Sequence, residues 1–186
     1  MVAPLALRGH LLAAMPSLHN TAFERSVIYV CEHQPEGAVG LMINRPLQYP
    51  LSFMFDQLHI ESGHSKQKNK PLLFGGPTQP ERGFVIHRPF GSWRSSLLLG
   101  DDVTITTSND IIRAIARNDG PKDALVALGF VAWGEGQLDK EVEEQWLVCS
   151  YEPELLYDVP FDERWEKTAE TIGVNVTQII PGAGHA

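Results

Sequence analysis

Short blocks of apolar residues, closed off by Gly, Pro or Asn, dominate the first half of the chain. His10 to Met15, Ser26 to Glu32 and Val39 to Ile43 are rich in apolar and β-branched residues, the pattern of strands. Gln34-Pro35-Glu36-Gly37 lies between the second and third and supplies a hairpin turn, because Pro and Gly adopt the backbone angles a turn needs. After Pro50 the period changes. Leu51, Met54, Phe55 and Leu58 recur at helical spacing and predict a short amphipathic helix within Leu51 to Ile60. Glu61 to Lys70 is polar, holds Gly63 and three lysines, and is expected to be a mobile loop.

Strands resume at Leu72 to Phe74, Phe84 to His87, Leu97 to Leu99 and Val103 to Thr106. Ser108 is placed to cap a helix with its hydroxyl, since Ile111, Ile112, Ile115 and Ala116 then share one face. Asn118-Asp119-Gly120-Pro121 ends that helix. The longest apolar run, Ala124 to Trp133, reads as a central strand covered on both faces. Gly134 to Gln145 reads as an acidic surface helix, Trp146 to Cys149 as a strand, and Asp162 to Ile172 as a last helix with Trp165, Ala169 and Ile172 inward. No repeat or second linker interrupts this order, so one domain is expected over residues 1–186.

Composition narrows the class. At 186 residues, 43% hydrophobic and 20% charged, the chain is long enough for a full core without disulfide or metal staples. Cys31 and Cys149 stand 118 positions apart inside apolar runs, which reads as two buried free thiols in a reducing compartment. The apolar stretch Leu5 to Met15 is broken by Arg8, Gly9 and His10, and no run approaches the roughly 18 apolar residues of a spanning helix. A cytoplasmic protein without a membrane partner is expected. The net charge of -8 is uneven: residues 135 to 170 hold 12 acids against Lys140, Arg164 and Lys167. Such a face repels phosphate, so direct DNA binding is disfavoured, and a basic protein is the partner it suits.

The familiar chemical signatures are missing: HExxH, a phosphate loop ending in Gly-Lys-Ser/Thr, and GxSxG do not occur. Gly134-Glu135-Gly136 follows the strongest strand, but Asp139 stands where a dinucleotide loop needs its third glycine. The seven histidines, His185 among them, include no pair at the i, i+4 spacing of two ligands on a helix face, and no metal is expected. His33 beside Glu32, and His87 before Arg88-Pro89, could each be a general base at a strand end, or a polar strand end meeting water.

Pocket candidates gather at other strand ends. Asn44-Arg45-Pro46 closes one strand, where Arg45 suits either an anionic ligand or a plain salt bridge. Gly75-Gly76-Pro77 closes another with little side-chain bulk, so that a ligand or a second backbone can come close, unless it is only a turn. Thr106-Thr107-Ser108-Asn109 runs from a strand into a helix, the kind of N-terminus that binds anions, although a plain cap explains Ser108 as well. Trp133 to Gln137 puts an aromatic and Gln137 at the C-terminal end of the central strand, where ligands bind in open sheets, or where a core Trp meets a helix start.

These pieces, in order, resemble the AlgH/YqgE family of bacterial proteins. The resemblance is carried by Gly9-His10-Leu11-Leu12-Ala13-Ala14-Met15-Pro16, Phe23 to His33, Gly37 to Pro46 and Gly75-Gly76-Pro77. It continues through Gly83-Phe84-Val85-Ile86-His87, Thr106 to Asp110 and Leu128-Gly129-Phe130 to Leu138. One departure falls at Glu141 to Trp146, where the family usually carries an Asn before the Trp and this chain reads Glu143-Glu144-Gln145. The resemblance implies an α+β fold, a single compact domain with a mixed, partly barrel-like β-sheet surrounded by helices. It implies no established cofactor, no agreed activity, and a regulatory role in some members.

Three readings follow. The first is a binding or regulatory protein, acting on transcription only indirectly, whose pocket for a small anionic ligand gathers Asn44, Arg45, Gly75, Gly76, His87, Trp133 and Gln137, with His33 nearby. The second is a hydrolase of a small anionic substrate with His33 or His87 as base and Glu32 orienting it. The third is an interaction module whose acidic face, Glu135 to Glu170, meets a basic protein.

Overall fold

A computed structural model describes residues 6–100 and 102–173. In chain order the strands are β1 (Leu11–Ala14), β2 (Val27–Gln34), β3 (Gly37–Met42), β4 (Pro46–Pro50), β5 (Pro71–Phe74), β6 (Thr78–Arg88), β7 (Ser96–Gly100), β8 (Val103–Thr106), β9 (Asp123–Trp133) and β10 (Trp146–Cys149). The helices are α1 (Leu51–Gln57), α2 (Asn109–Ala116), α3 (Gln137–Glu141), α4 (Pro153–Tyr157) and α5 (Arg164–Glu170). The fold is α+β, as the resemblance implied. Its contacts group into two compact units, residues 1–44 with 130–186, and residues 45–129.

In the first unit the strand order is β10-β1-β2-β3, followed by the end of β9, with every pairing antiparallel. Pro35 and Glu36 make the turn between β2 and β3, as expected. Val27 to Val30 are all buried and the pattern then alternates, so β2 begins inside the core and ends at the surface. Helix α5 covers β1: the Trp165 indole donates to the Ala14 carbonyl at 2.9 Å. Arg164 is buried beside it and donates to the carbonyls of Ile43, at 2.6 Å, and Val159, at 2.8 Å. Burial lowers the Arg164 pKa to about 10, and the nearby Asp158 carboxylate offsets part of that effect.

The second unit contains the one parallel pairing with a described register, Leu73 opposite Ala127, so the sheet is mixed. Strands β6, β8 and β7 follow β9 in order, with β6–β8 and β7–β8 antiparallel. Its core joins Leu51 and Phe55 of α1, Leu72, Val85, Ala124 and Val126 of the strands, and Ile111, Ile112 and Ile115 of α2. The predicted apolar face of α2 therefore packs as its spacing requires.

Several elements depart from the sequence expectation. Strand β4 is not among the predicted strands. Among the described residues it pairs with β5, an edge position where the missing proline N–H is tolerated. The acidic helix predicted over Gly134 to Gln145 is only the five-residue α3, entered through Gly136 at φ +67. Helix α4 was missed, and the last helix begins at Arg164 after a 3-10 turn at Phe161–Glu163. Ile172 points outward at 43% exposure, because the helix ends two residues before it. Cys149 is buried and Cys31 half-buried, both as free thiols. Glu61 to Lys70 is pinned rather than loose, since the buried Ser65 donates its hydroxyl to the Ile115 carbonyl at 3.0 Å.

Candidate functional site

Helix α1 turns Leu51 and Phe55 into the core of the second unit, and its spacing then carries Phe53, Met54, Gln57 and Leu58 to the edge of a cavity. The cavity measures ≈ 370 Å³, within the roughly 300–1,000 Å³ of small-molecule sites. Its wall is mostly apolar, with Leu72, Phe84, Val85, Ile112, Val126 and Leu128 joining the α1 side chains. Gly83 also lines it. A Cβ there would lie 3.8 Å from Met54 and 3.9 Å from Leu128, ordinary contact, so a larger side chain would grow into open space. The Phe53 ring also packs against Tyr49, tilted by 36° with centroids 4.7 Å apart, and the two remain 40% and 52% exposed.

The polar part of the lining is Thr106 to Asn109, the strand-to-helix junction singled out from the sequence, together with Gln57 and Glu81. Glu81 is the one charged side chain in the lining, which contains no Lys or Arg. Ser108 does not cap α2 with its hydroxyl. Its single proton faces the Arg94 carbonyl and the Asp110 carboxylate, both at 2.5 Å. Asp110 itself accepts from the Ile111 amide at 2.9 Å and takes over that role. Burial raises the Asp110 pKa, but hydrogen bonds from Ser108 and from the Arg94 and Ile111 amides outweigh it and hold the carboxyl below its usual range.

His87 lies behind Thr106 and is fully buried. Its Nδ1 is 2.9 Å from the Pro89 carbonyl, which can only accept, so the neutral ring carries its proton there. Nε2 then accepts from the Thr106 hydroxyl at 2.7 Å, and Ser96 Oγ sits 2.6 Å from Thr106. Desolvation lowers the His87 pKa, and the bond to Pro89 partly opposes it. Both ring nitrogens are thus engaged away from solvent, beside Trp93 at 5.3 Å between centroids.

In the first unit the remaining candidates are each engaged by neighbouring residues. Trp133 and Trp146 both donate their indole N–H groups to Glu141 Oε1 at 3.2 Å. Gln137 accepts from the Gly134 amide at 2.9 Å and donates to Glu141 Oε2 at 2.6 Å. Glu141 is the hub of this cluster and was not singled out from the sequence, although it stands one helical turn after Gln137. Asn44 is a staple: it accepts from the Val27 amide and donates to the Arg25 carbonyl, each at 2.9 Å. His33 Nδ1 accepts from the Leu7 amide at 2.9 Å, and Nε2 faces Asp139 at 3.1 Å. Its carboxylate partner is therefore Asp139 and not Glu32, which is exposed because neighbouring strand residues point to opposite faces.

The glycines at the second unit's strand ends serve backbone packing. A Cβ on Gly75 would come 2.3 Å from the Gly129 carbonyl oxygen, and one on Gly129 would come 2.2 Å from that of Gly76. The close approach foreseen for Gly75 and Gly76 is thus to another backbone. Arg45 accepts at its carbonyl from the Phe74 amide at 2.8 Å. The sequence candidates divide between the units, with Glu32, His33, Asn44, Trp133 and Gln137 in the first and Arg45, Gly75, Gly76 and His87 in the second. None of them lines the 370 Å³ cavity. Among the described residues no three His, Cys, Asp or Glu side chains form a metal-holding group; His185 lies outside those residues. No described helix is long and apolar enough to cross a membrane.

Comparison with known proteins adds kinship to this geometry. Residues 11–177 match the family model described as AlgH-like. The chain is 59% identical over 182 residues to a UPF0301 protein of Legionella pneumophila, spanning 97% of each. It is 42% identical over 186 residues to a UPF0301 protein of Xanthomonas campestris pv. campestris, spanning 100% of this chain and 99% of the relative. The solution structure of the AlgH protein from Pseudomonas aeruginosa is similar at a TM-score of 0.80 and 37% identity, covering 100% of this chain and 99% of that one.

Proposed function

The chain belongs to the AlgH-like family, and from that premise we propose that it is a cytoplasmic binding protein rather than an enzyme, with the cavity of its second unit as the ligand site. The carrying observation is a mostly apolar wall joined by a short polar stretch, Thr106 to Asn109. A ligand with an apolar body and one hydrogen-bonding end fits Phe53, Leu128 and Val126 on one hand and Thr107 to Asn109 on the other. With Glu81 the one charge in the lining, the cavity favours an uncharged or cationic polar end over the anion expected around Arg45. A hydrolase would need His33 or His87 to take a proton from substrate, and in both residues the two ring nitrogens already have partners. Any regulatory effect then follows occupancy of this cavity.

A thermal-shift screen with uncharged and amine-bearing apolar compounds tests the reading. At a concentration near 100 Kd a true ligand raises the melting temperature by roughly 5–10 °C. Gly83→Leu fills the cavity and should remove that shift while leaving the free protein's melting point nearly unchanged. No shift from any compound, or a shift that survives Gly83→Leu, rejects the cavity as the site.

A further inference from the structure

Two segments of the second unit, far apart in sequence, are tied together by side-chain-to-backbone hydrogen bonds and present cations on the outside. The Lys66 amide donates to the Asn118 side-chain oxygen at 2.8 Å, and the Asn118 side-chain amide returns a bond to the His64 carbonyl at 2.9 Å. With the buried Ser65–Ile115 bond, these contacts hold the segment Glu61 to Lys70 on the last turn of α2. Residues 61–70 and 113–122 together carry six Lys and Arg against two acids, in a chain whose net charge is -8. Lys66, Lys70, Arg113 and Arg117 are exposed. Arg117 has a carboxylate neighbour, Asp119 at 3.6 Å, and Lys68 turns its ammonium to the Gly63 carbonyl at 3.3 Å. For Lys66, Lys70 and Arg113 there is no carboxylate partner among the described residues.

A simpler role accounts for part of this. Arg113 and Arg117 complement the negative end of the α2 dipole, a reason for cations in a last helical turn. Lys66 and Lys70 lie outside the helix, and that reason does not extend to them. Like charges fixed on a pinned backbone repel one another, and an anionic partner relieves the repulsion.

We propose that this surface docks an acidic segment of another polypeptide. Arg113 and Arg117, one helical turn apart, offer planar forks matched to carboxylates, and the carboxylate beside them, Asp119, lies 3.6 Å from Arg117 Nε. Nucleic acid fits less well. Neither segment contains Phe, Tyr or Trp on which a single-stranded base could stack.

Fluorescence anisotropy with a labelled decaglutamate peptide, set against a single-stranded DNA decamer, tests the proposal. The protein should bind the peptide the more tightly, and the affinity should fall as salt is raised. Lys66→Glu with Arg117→Glu should weaken peptide binding roughly tenfold or more. Lys140→Glu with Lys167→Glu changes the net charge by the same amount in the first unit and should stay within about twofold of the parent. Lys66→Gln with Arg117→Gln, gentler at the helix end, should weaken binding in the same direction, and unchanged melting temperatures exclude unfolding as the cause. The proposal is overturned if the peptide does not bind, if binding ignores the Lys66 and Arg117 changes, or if the DNA decamer binds as tightly.

Discussion

The two units differ in charge balance and in the space they leave. The first carries 15 acids against 5 Lys and Arg, and the polar side chains of the clusters described are closed on their neighbours: Glu141 with two indoles and Gln137, His33 with Leu7 and Asp139, Arg164 with two carbonyls. The second is close to balanced, with 8 acids against 10 Lys and Arg, and it leaves a cavity beside its core and cations on its outer surface. Polar chemistry in a sequence is therefore a poor guide to where a ligand sits. A residue whose hydrogen bonds are complete holds structure, and space lined by apolar side chains is what a ligand can enter.

If the first unit is closed in this way, removing a hub should be expensive there. Arg164→Ala leaves the buried Ile43 carbonyl without its donor and removes a packed side chain. A loss of about 3 kcal/mol in denaturant-induced unfolding is expected, and a loss below about 1 kcal/mol would break the comparison. Next in size, Glu141→Ala strands the indole N–H groups of two buried tryptophans, Trp133 and Trp146. This should cost about 2 kcal/mol and red-shift the tryptophan emission as water reaches the rings.

The second unit supplies the smaller effects. His87 is held neutral by burial, below its ordinary value of 6.5, so the unfolded chain takes up the proton first as pH falls. Its contribution to stability is complete above about pH 6.5 and is lost as pH drops through the lower folded value. A melting-temperature profile should decline over that window, and His87→Gln should flatten it. A profile equally steep in His87→Gln would assign the acid sensitivity to other groups. The smallest change in stability is expected for Gly83→Leu, within about 1 kcal/mol, because its Cβ makes only ordinary contacts and the cavity lies beside it.

Much of the local structure was legible in residue order. Alternation and apolar runs located β1, β2, β3, β5, β8, β9 and β10, and the spacing of Ile111, Ile112 and Ile115 located α2. The misses share a cause. β4 and the first half of β6 are exposed strands whose residues have little apolar face to show, and α4 is too short for a helical period to register. Among the site features, the junction Thr106 to Asn109 was visible and does line the cavity. His33 was visible too, but its partner Asp139 was not, because it comes from a helix more than a hundred positions away.

By itself the sequence determined the family, the α+β class, most strand positions and the uneven charge, since each depends on residue identity or on periods a few residues long. Only the tertiary structure decided which polar residues are consumed by their neighbours and where space remains. Helix α1, strand β6, the start of α2 and strand β9 all border the cavity. A void is set by what several distant segments leave unfilled, and no local pattern in the chain encodes that.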